Sequence, residues 1–131
     1  MLKKYKREGM KQGASQPVRV PTVTVCFTGL RFNVSAIKQF LEGNFYVELL
    51  YDEKGTGFGM KLSPASTEDS YEIKWYYQEG NLYSARVYCT PFVKKLGVIS
   101  GIDQRDKIFP LRLDREKNIL RIEFDAHYLS G

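Results

Sequence analysis

The sequence predicts a mainly β protein of the α+β class: two β-β-α-β-β repeats that form one pseudo-twofold barrel or sandwich with two short helices. Three observations predict it. Apolar residues alternate at period two over a series of short runs, the signature of half-buried strands. Only two brief stretches carry helical spacing. The order of these elements is written twice, most visibly in "LLYDEKGTGFGMKL" at 49–62 and "LRLDREKNILRIEF" at 111–124. Leu49 matches Leu111, Asp52 matches Asp114, Met60 matches Ile122 and Leu62 matches Phe124, each pair 62 residues apart. Ser35 and Thr90, which open the two predicted helices, are 55 apart, so the second copy has the longer helix-to-strand loop.

The elements follow in order. Residues 1–20, "MLKKYKREGMKQGASQPVRV", are basic, lack a period and contain Gly9, Gly13 and Pro17, which predicts a flexible arm. The first repeat occupies 21–62. "PTVTVCFTG" predicts a strand with Val23, Val25 and Phe27 on one face, and Gly29 permits a tight turn into "LRFNV", with Phe32 and Val34 inward. Ser35 is placed to cap a helix over "AIKQFLEG" that Gly43 and Asn44 end. In the next hairpin Val47, Leu49 and Tyr51 face Phe58, Met60 and Leu62. "GTGFG" at 55–59 continues into a strand rather than opening a helix, so it predicts a turn with a bulge and not a phosphate loop. Residues 63–70 are a polar linker.

The second repeat occupies 71–125, and 126–131 form a tail. Tyr71, Ile73, Trp75 and Tyr77 share one face of a hairpin turned at Glu79-Gly80-Asn81. Thr90 caps a helix with Pro91 in its first position, and Gly97 closes it. "ISGIDQRD" then loops into the last hairpin. Each unit buries too little apolar surface to stand alone, so the two are expected to cover each other.

The chain of 131 residues is 43% hydrophobic with a net charge of +5, which suits one packed domain and a mild attraction to polyanions. Five of the basic residues fall in the first eleven positions. Cys26 and Cys89 form no Cys-x-x-Cys pair and are expected to be reduced, as in a cytoplasmic protein. There is no apolar run of membrane-spanning length and no apolar segment following the basic start, so neither a membrane nor a secretory leader is expected. His127 is the only histidine. No nucleophile–base pair or metal-ligand spacing stands out, so the expectation is a protein that is not an enzyme and needs no cofactor.

"ARVYCTPFVKKLGV" followed by "IFPLRLDREKNILRIEF", and more weakly "GLRFNVSAIKQFL" followed by "YVELLYDEKGTGFGMKL", resemble the swapped-hairpin DNA-binding domain of AbrB-like transcription factors. The resemblance covers about residues 22–124. It implies two units whose hairpins interleave, with basic residues on strands, turn and helix start gripping DNA; this chain would be a fused tandem, a monomer serving as its own pseudo-dimer. The family sets Arg directly after the turn Gly and then runs into Pro. Here Leu30 follows Gly29 and Arg31 comes one step later, Arg86 is shifted alike after Ser84, and Val34 and Cys89 stand in the Pro places.

Candidate contacts with double-stranded DNA are therefore Lys3, Lys4, Lys6, Arg7, Lys11 and Arg19 in the arm, Arg31 and Arg86 on the strands, and Lys38, Lys94 and Lys95 on the helices. The arm serves either phosphate contact or solubility. Arg31 and Arg86 occupy equivalent outward places and are either paired nucleic-acid contacts or ordinary surface residues. The expected role is a DNA-binding regulator. The alternatives are a protein-binding module acting through "ISGIDQRD" and its tyrosines, or a single-strand binder stacking bases on Tyr76 and Tyr88.

Overall fold

The computed structural model describes residues 20–126. Lys3, Lys4, Lys6, Arg7, Lys11 and Arg19 of the arm, and His127, lie outside the described residues. Ten strands form two five-stranded antiparallel sheets. β1 (Thr22–Val25), β2 (Gly29–Phe32), β6 (Lys74–Gln78), β7 (Asn81–Tyr88) and β8 (Ile108–Pro110) make the first, in the order β6-β7-β2-β1-β8. β3 (Tyr46–Tyr51), β4 (Gly57–Ser63), β5 (Ser70–Glu72), β9 (Arg112–Asp114) and β10 (Ile119–Glu123) make the second, in the order β5-β3-β4-β10-β9. Neither sheet closes on itself, so the barrel alternative gives way to two open sheets over one core.

Each sheet takes one hairpin from each half of the chain. In the first, β2 pairs with β7, with Leu30 opposite Val87, Arg31 opposite Arg86 and Phe32 opposite Ala85. In the second, β4 pairs with β10, with Phe58 opposite Ile122, Gly59 opposite Arg121 and Met60 opposite Leu120. Any antiparallel pair has a local dyad. Here the dyads relate residues that the sequence already matches, because Arg86 lies 55 residues after Arg31 and Arg121 lies 62 after Gly59.

Alternation explains the core. Val23, Val25, Leu30, Phe32, Ala85 and Val87 of the first sheet meet Val47, Phe58, Met60, Leu120 and Ile122 of the second. An aromatic chain ties the layers together. Phe58 packs edge-on against Phe92 at 5.7 Å, and Phe124 lies 6.0 Å from Phe58 and 5.7 Å from Phe109. Two strand runs cross between the sheets. The chain passes from β5 to β6 at the buried Ile73, and from β8 to β9 at the buried Leu111. The run from Tyr71 to Tyr77 is thus split at Ile73, and its last residue departs from expectation. A bulge between Tyr76 and Tyr77 breaks the alternation, leaving Tyr77 64% exposed.

The β3–β4 hairpin keeps the expected facing pairs, Val47 with Leu62, Leu49 with Met60 and Tyr51 with Phe58, with continuous register and no bulge. The two acidic turns work alike. Asp52 accepts from the Lys54 N–H at 2.9 Å and from the Thr56 hydroxyl, and these bonds hold its carboxyl below the usual range. Asp114 accepts from the Lys117 N–H at 3.3 Å. The β6–β7 turn has both central residues, Glu79 and Gly80, at positive φ, the form that suits the strand twist; Asn81 already belongs to β7.

The helices are set one or two residues away from where the caps were expected. The first runs Val34–Ala36 and continues as a π-helical turn, Ile37–Leu41, so Val34 opens a helix rather than pointing in from a strand. Asn33, not Ser35, is its cap: Oδ1 accepts from the Ala36 N–H at 2.9 Å and the Thr22 N–H at 3.1 Å, while Nδ2 donates to the Val20 carbonyl at 2.8 Å. The second helix, Thr90–Ser100, follows Cys89 and includes Thr90, whose hydroxyl donates to the Thr28 carbonyl at 3.3 Å. It runs past Gly97 and ends at Gly101, whose φ of 75° lies in the left-handed region that favours glycine. Cys26 is half-buried and Cys89 buried, with both thiols outside any disulfide; burial pushes the Cys89 thiol up to about 12, which favours its neutral form.

Asn33 thus ties β1, the helix start and the chain entering β1. Asn33→Ala should cost about 1–2 kcal/mol of stability, read as a lower urea midpoint with unchanged slope.

Candidate nucleic-acid interface

The outer face of the first sheet is built by the residues that alternate with its core. Leu30 and Phe32 point in, so Arg31 points out; Ala85 and Val87 point in, so Arg86 points out. β6 pairs with β7 so that Lys74 lies opposite Arg86, and β1 pairs with β2 so that Thr24 lies opposite Arg31. The result is a cross-strand row, Lys74–Arg86–Arg31–Thr24. Three neighbouring strands each present a cation.

Directly opposed like charges repel, and a sheet normally answers them with carboxylates. Lys74 has one, Glu72 at 3.1 Å. Neither Arg31 nor Arg86 has an acidic partner among the described residues. Arg86 is half-buried, with its guanidinium 5.7 Å from the centre of the Tyr76 ring. Tyr76 and Tyr88 share a hydroxyl–hydroxyl bond of 2.5 Å, which raises the Tyr76 pKa by stabilising its neutral form. Tyr88 is 47% exposed and lies opposite Gly29. That glycine is required by the backbone: a Cβ there would stand 1.9 Å from the Val87 carbonyl oxygen. Ser84, opposite Tyr76, has a buried hydroxyl with no partner among the described residues.

The expected site residues divide. Arg31 and Arg86 come together as direct partners. Lys38 is exposed on the π-helical turn, and Lys94 and Lys95 are exposed on the second helix; none belongs to the row. The Lys95 ammonium lies 4.5 Å over the ring of Tyr51, in the other sheet. Lys94 lines a groove with Phe27, which is 64% exposed because β1 ends at Val25 and the Cys26 N–H bonds the Gly29 carbonyl, placing Phe27 in the turn. Sequence reasoning missed Lys74, whose signal was its place one residue before the core-facing Trp75.

A cleft of about 670 Å³ lies on the second sheet over Gly57 and Gly59, with Asp52, Arg121, Glu123 and Asp125 also in its lining. Among the described residues no group of His, Cys, Asp and Glu could hold a metal ion, and no helix is long and apolar enough to cross a membrane. No family model matches the chain, and neither a curated protein nor a solved structure matches it.

Relieving the arginine repulsion should stabilise the fold. Arg31→Glu, which sets a carboxylate opposite Arg86, should raise the unfolding free energy by roughly 0.2–1 kcal/mol in urea titrations, with the gain shrinking as salt is added.

Proposed function

We propose that this chain is a DNA-binding protein, a small regulator built as a fused tandem of two β-β-α-β-β units, in which Arg31 and Arg86 hold the phosphate backbone of a duplex. The observation that carries this is the pairing of two arginines across β2 and β7 with no carboxylate beside them. Such a pair is electrostatically costly in the free protein and is relieved by a polyanion, and guanidinium forks match phosphate oxygens. Lys74 extends the row toward the sheet edge. The arm residues Lys3, Lys4, Lys6, Arg7, Lys11 and Arg19 would add sequence-independent affinity. The interleaving of hairpins from both halves supports the resemblance to AbrB-like swapped-hairpin domains, and with it a pseudo-dimer that acts as a single chain.

A second reading has its own support. Tyr76 and Tyr88 stand beside the arginines on an open sheet face, where unpaired bases could stack.

Fluorescence anisotropy with mixed-sequence duplex DNA, single-stranded DNA and a neutral polymer tests both readings, using the intact chain and one beginning at Pro21. Duplex binding should survive loss of the arm and weaken when Arg31→Ala and Arg86→Ala are combined. The double change should also reduce the dependence of log K on log salt by about one per lost contact. Preference for the single strand, reduced by Tyr88→Ala, would favour base stacking. Absence of binding to either nucleic acid at low salt would refute the proposal.

A further inference from the structure

Beyond the arginine face, the second helix and the turn after β1 enclose a groove of about 430 Å³ that includes Phe27, Lys94, Gly97, Val98, Ile102 and Arg105 in its walls. Three of these are large apolar residues held open to water: Val98 is 80% exposed, Phe27 64% and Ile102 58%. Single exposed apolar residues are ordinary, but three converging on one concavity mark a contact surface.

The groove is an addition to the repeated plan. The spacing between matched residues grows from 55 at the helix starts to 62 in the following hairpins, so the second half has seven extra residues between helix and hairpin. Ile102, Asp103 and Arg105 fall in that segment and build one wall. Counting back 55 from Val98 gives Gly43, and counting forward 55 from Phe27 gives Leu82, which is half-buried against the core. Neither matching position shows an exposed apolar side chain, so the repeat does not account for them.

The wall is also held in shape. Arg105 donates to both oxygens of Asp103, at 2.6, 2.9 and 3.0 Å, and its guanidinium lies 4.9 Å over the Phe27 ring. The arginine beside it holds the Asp103 carboxyl at about 2, so the clasp stays charged across the physiological range. Ser100 and Gln104 brace the segment from within: the Gln104 amide donates to Ser100 Oγ at 3.0 Å, and Ser100 Oγ donates to the Leu96 carbonyl at 2.7 Å. A surface ordered before binding loses little entropy when it is filled. Asp103 and Arg105 neutralise each other, so Lys94, which has no acidic partner among the described residues, gives the groove its net charge.

We propose that this groove docks a segment of a protein partner that inserts a large apolar side chain between Phe27, Val98 and Ile102 and sets an acidic residue against Lys94. Apolar burial supplies the affinity, and the lysine selects the charge of the flank. This contact is independent of the arginine row.

The test is an NMR titration of the full ¹⁵N-labelled chain with a blocked peptide in which leucine and tryptophan are flanked by aspartates. One control replaces the aspartates with lysines, and another replaces leucine and tryptophan with alanines. The acidic peptide should give saturable shifts centred on Phe27, Val98, Ile102 and Lys94, and each control should bind about tenfold more weakly. Val98→Asp, at a site too exposed to disturb folding, should lose the shifts while keeping the native spectrum. Lys94→Glu should reverse the preference toward the lysine peptide. Shifts lying elsewhere, no saturation at millimolar peptide, or equal binding by Val98→Asp would each overturn the proposal.

Discussion

The pairing of β2 with β7 is the constraint on which the rest depends. It joins the hairpin of the first half to that of the second, and its inward residues Leu30, Phe32, Ala85 and Val87 fill the middle of the core. The β4–β10 pairing repeats the arrangement in the other sheet. Because each sheet needs a hairpin from both halves, long-range contacts must form before either layer is complete. The same constraint fixes what stands on the outer face. Once Leu30 and Val87 are committed to the core, Arg31 and Arg86 must stand opposite each other outside it.

The second sheet shows that this opposition is not forced by the repeated plan. At its centre the matched residues are Gly59 and Arg121, so one position carries no side chain at all, and Arg121 has Asp114 at 3.7 Å. The dyad there contains no like-charge contact. At the first dyad both positions are arginine, and the carboxylate that could have offset them is missing among the described residues. A fold able to avoid the repulsion on one face keeps it on the other.

Much of the architecture was legible because period-two alternation is a direct consequence of a two-faced sheet. It placed Val47, Leu49 and Tyr51 opposite their partners and turned Arg31 and Arg86 outward. What alternation cannot carry is a break in its own period. The corner at Ile73 comes from the need to pass between layers, and the bulge beside Tyr77, inside the β6–β7 pair, left that tyrosine exposed. The cap at Asn33 was missed because both Asn and Ser suit that role locally. The choice was made by the chain before β1, where Asn33 also bonds Val20 and Thr22. The facing positions of the two arginines required knowing that the halves pair through β2 and β7. Phe27 was expected on the apolar face of the first strand and Ile102 in a loop, and only the turn after β1 and the extended second helix bring them together with Val98 in one groove.

The most direct test of the claim that the two arginines form one anion site is to observe their own N–H groups. The Nε–Hε resonances of Arg31 and Arg86, assigned through single Arg→Lys substitutions, should be followed as a short DNA duplex is added at low salt. Both should shift together and saturate at one chain per site. Movement of the other arginines, with Arg31 and Arg86 unchanged, would contradict the account.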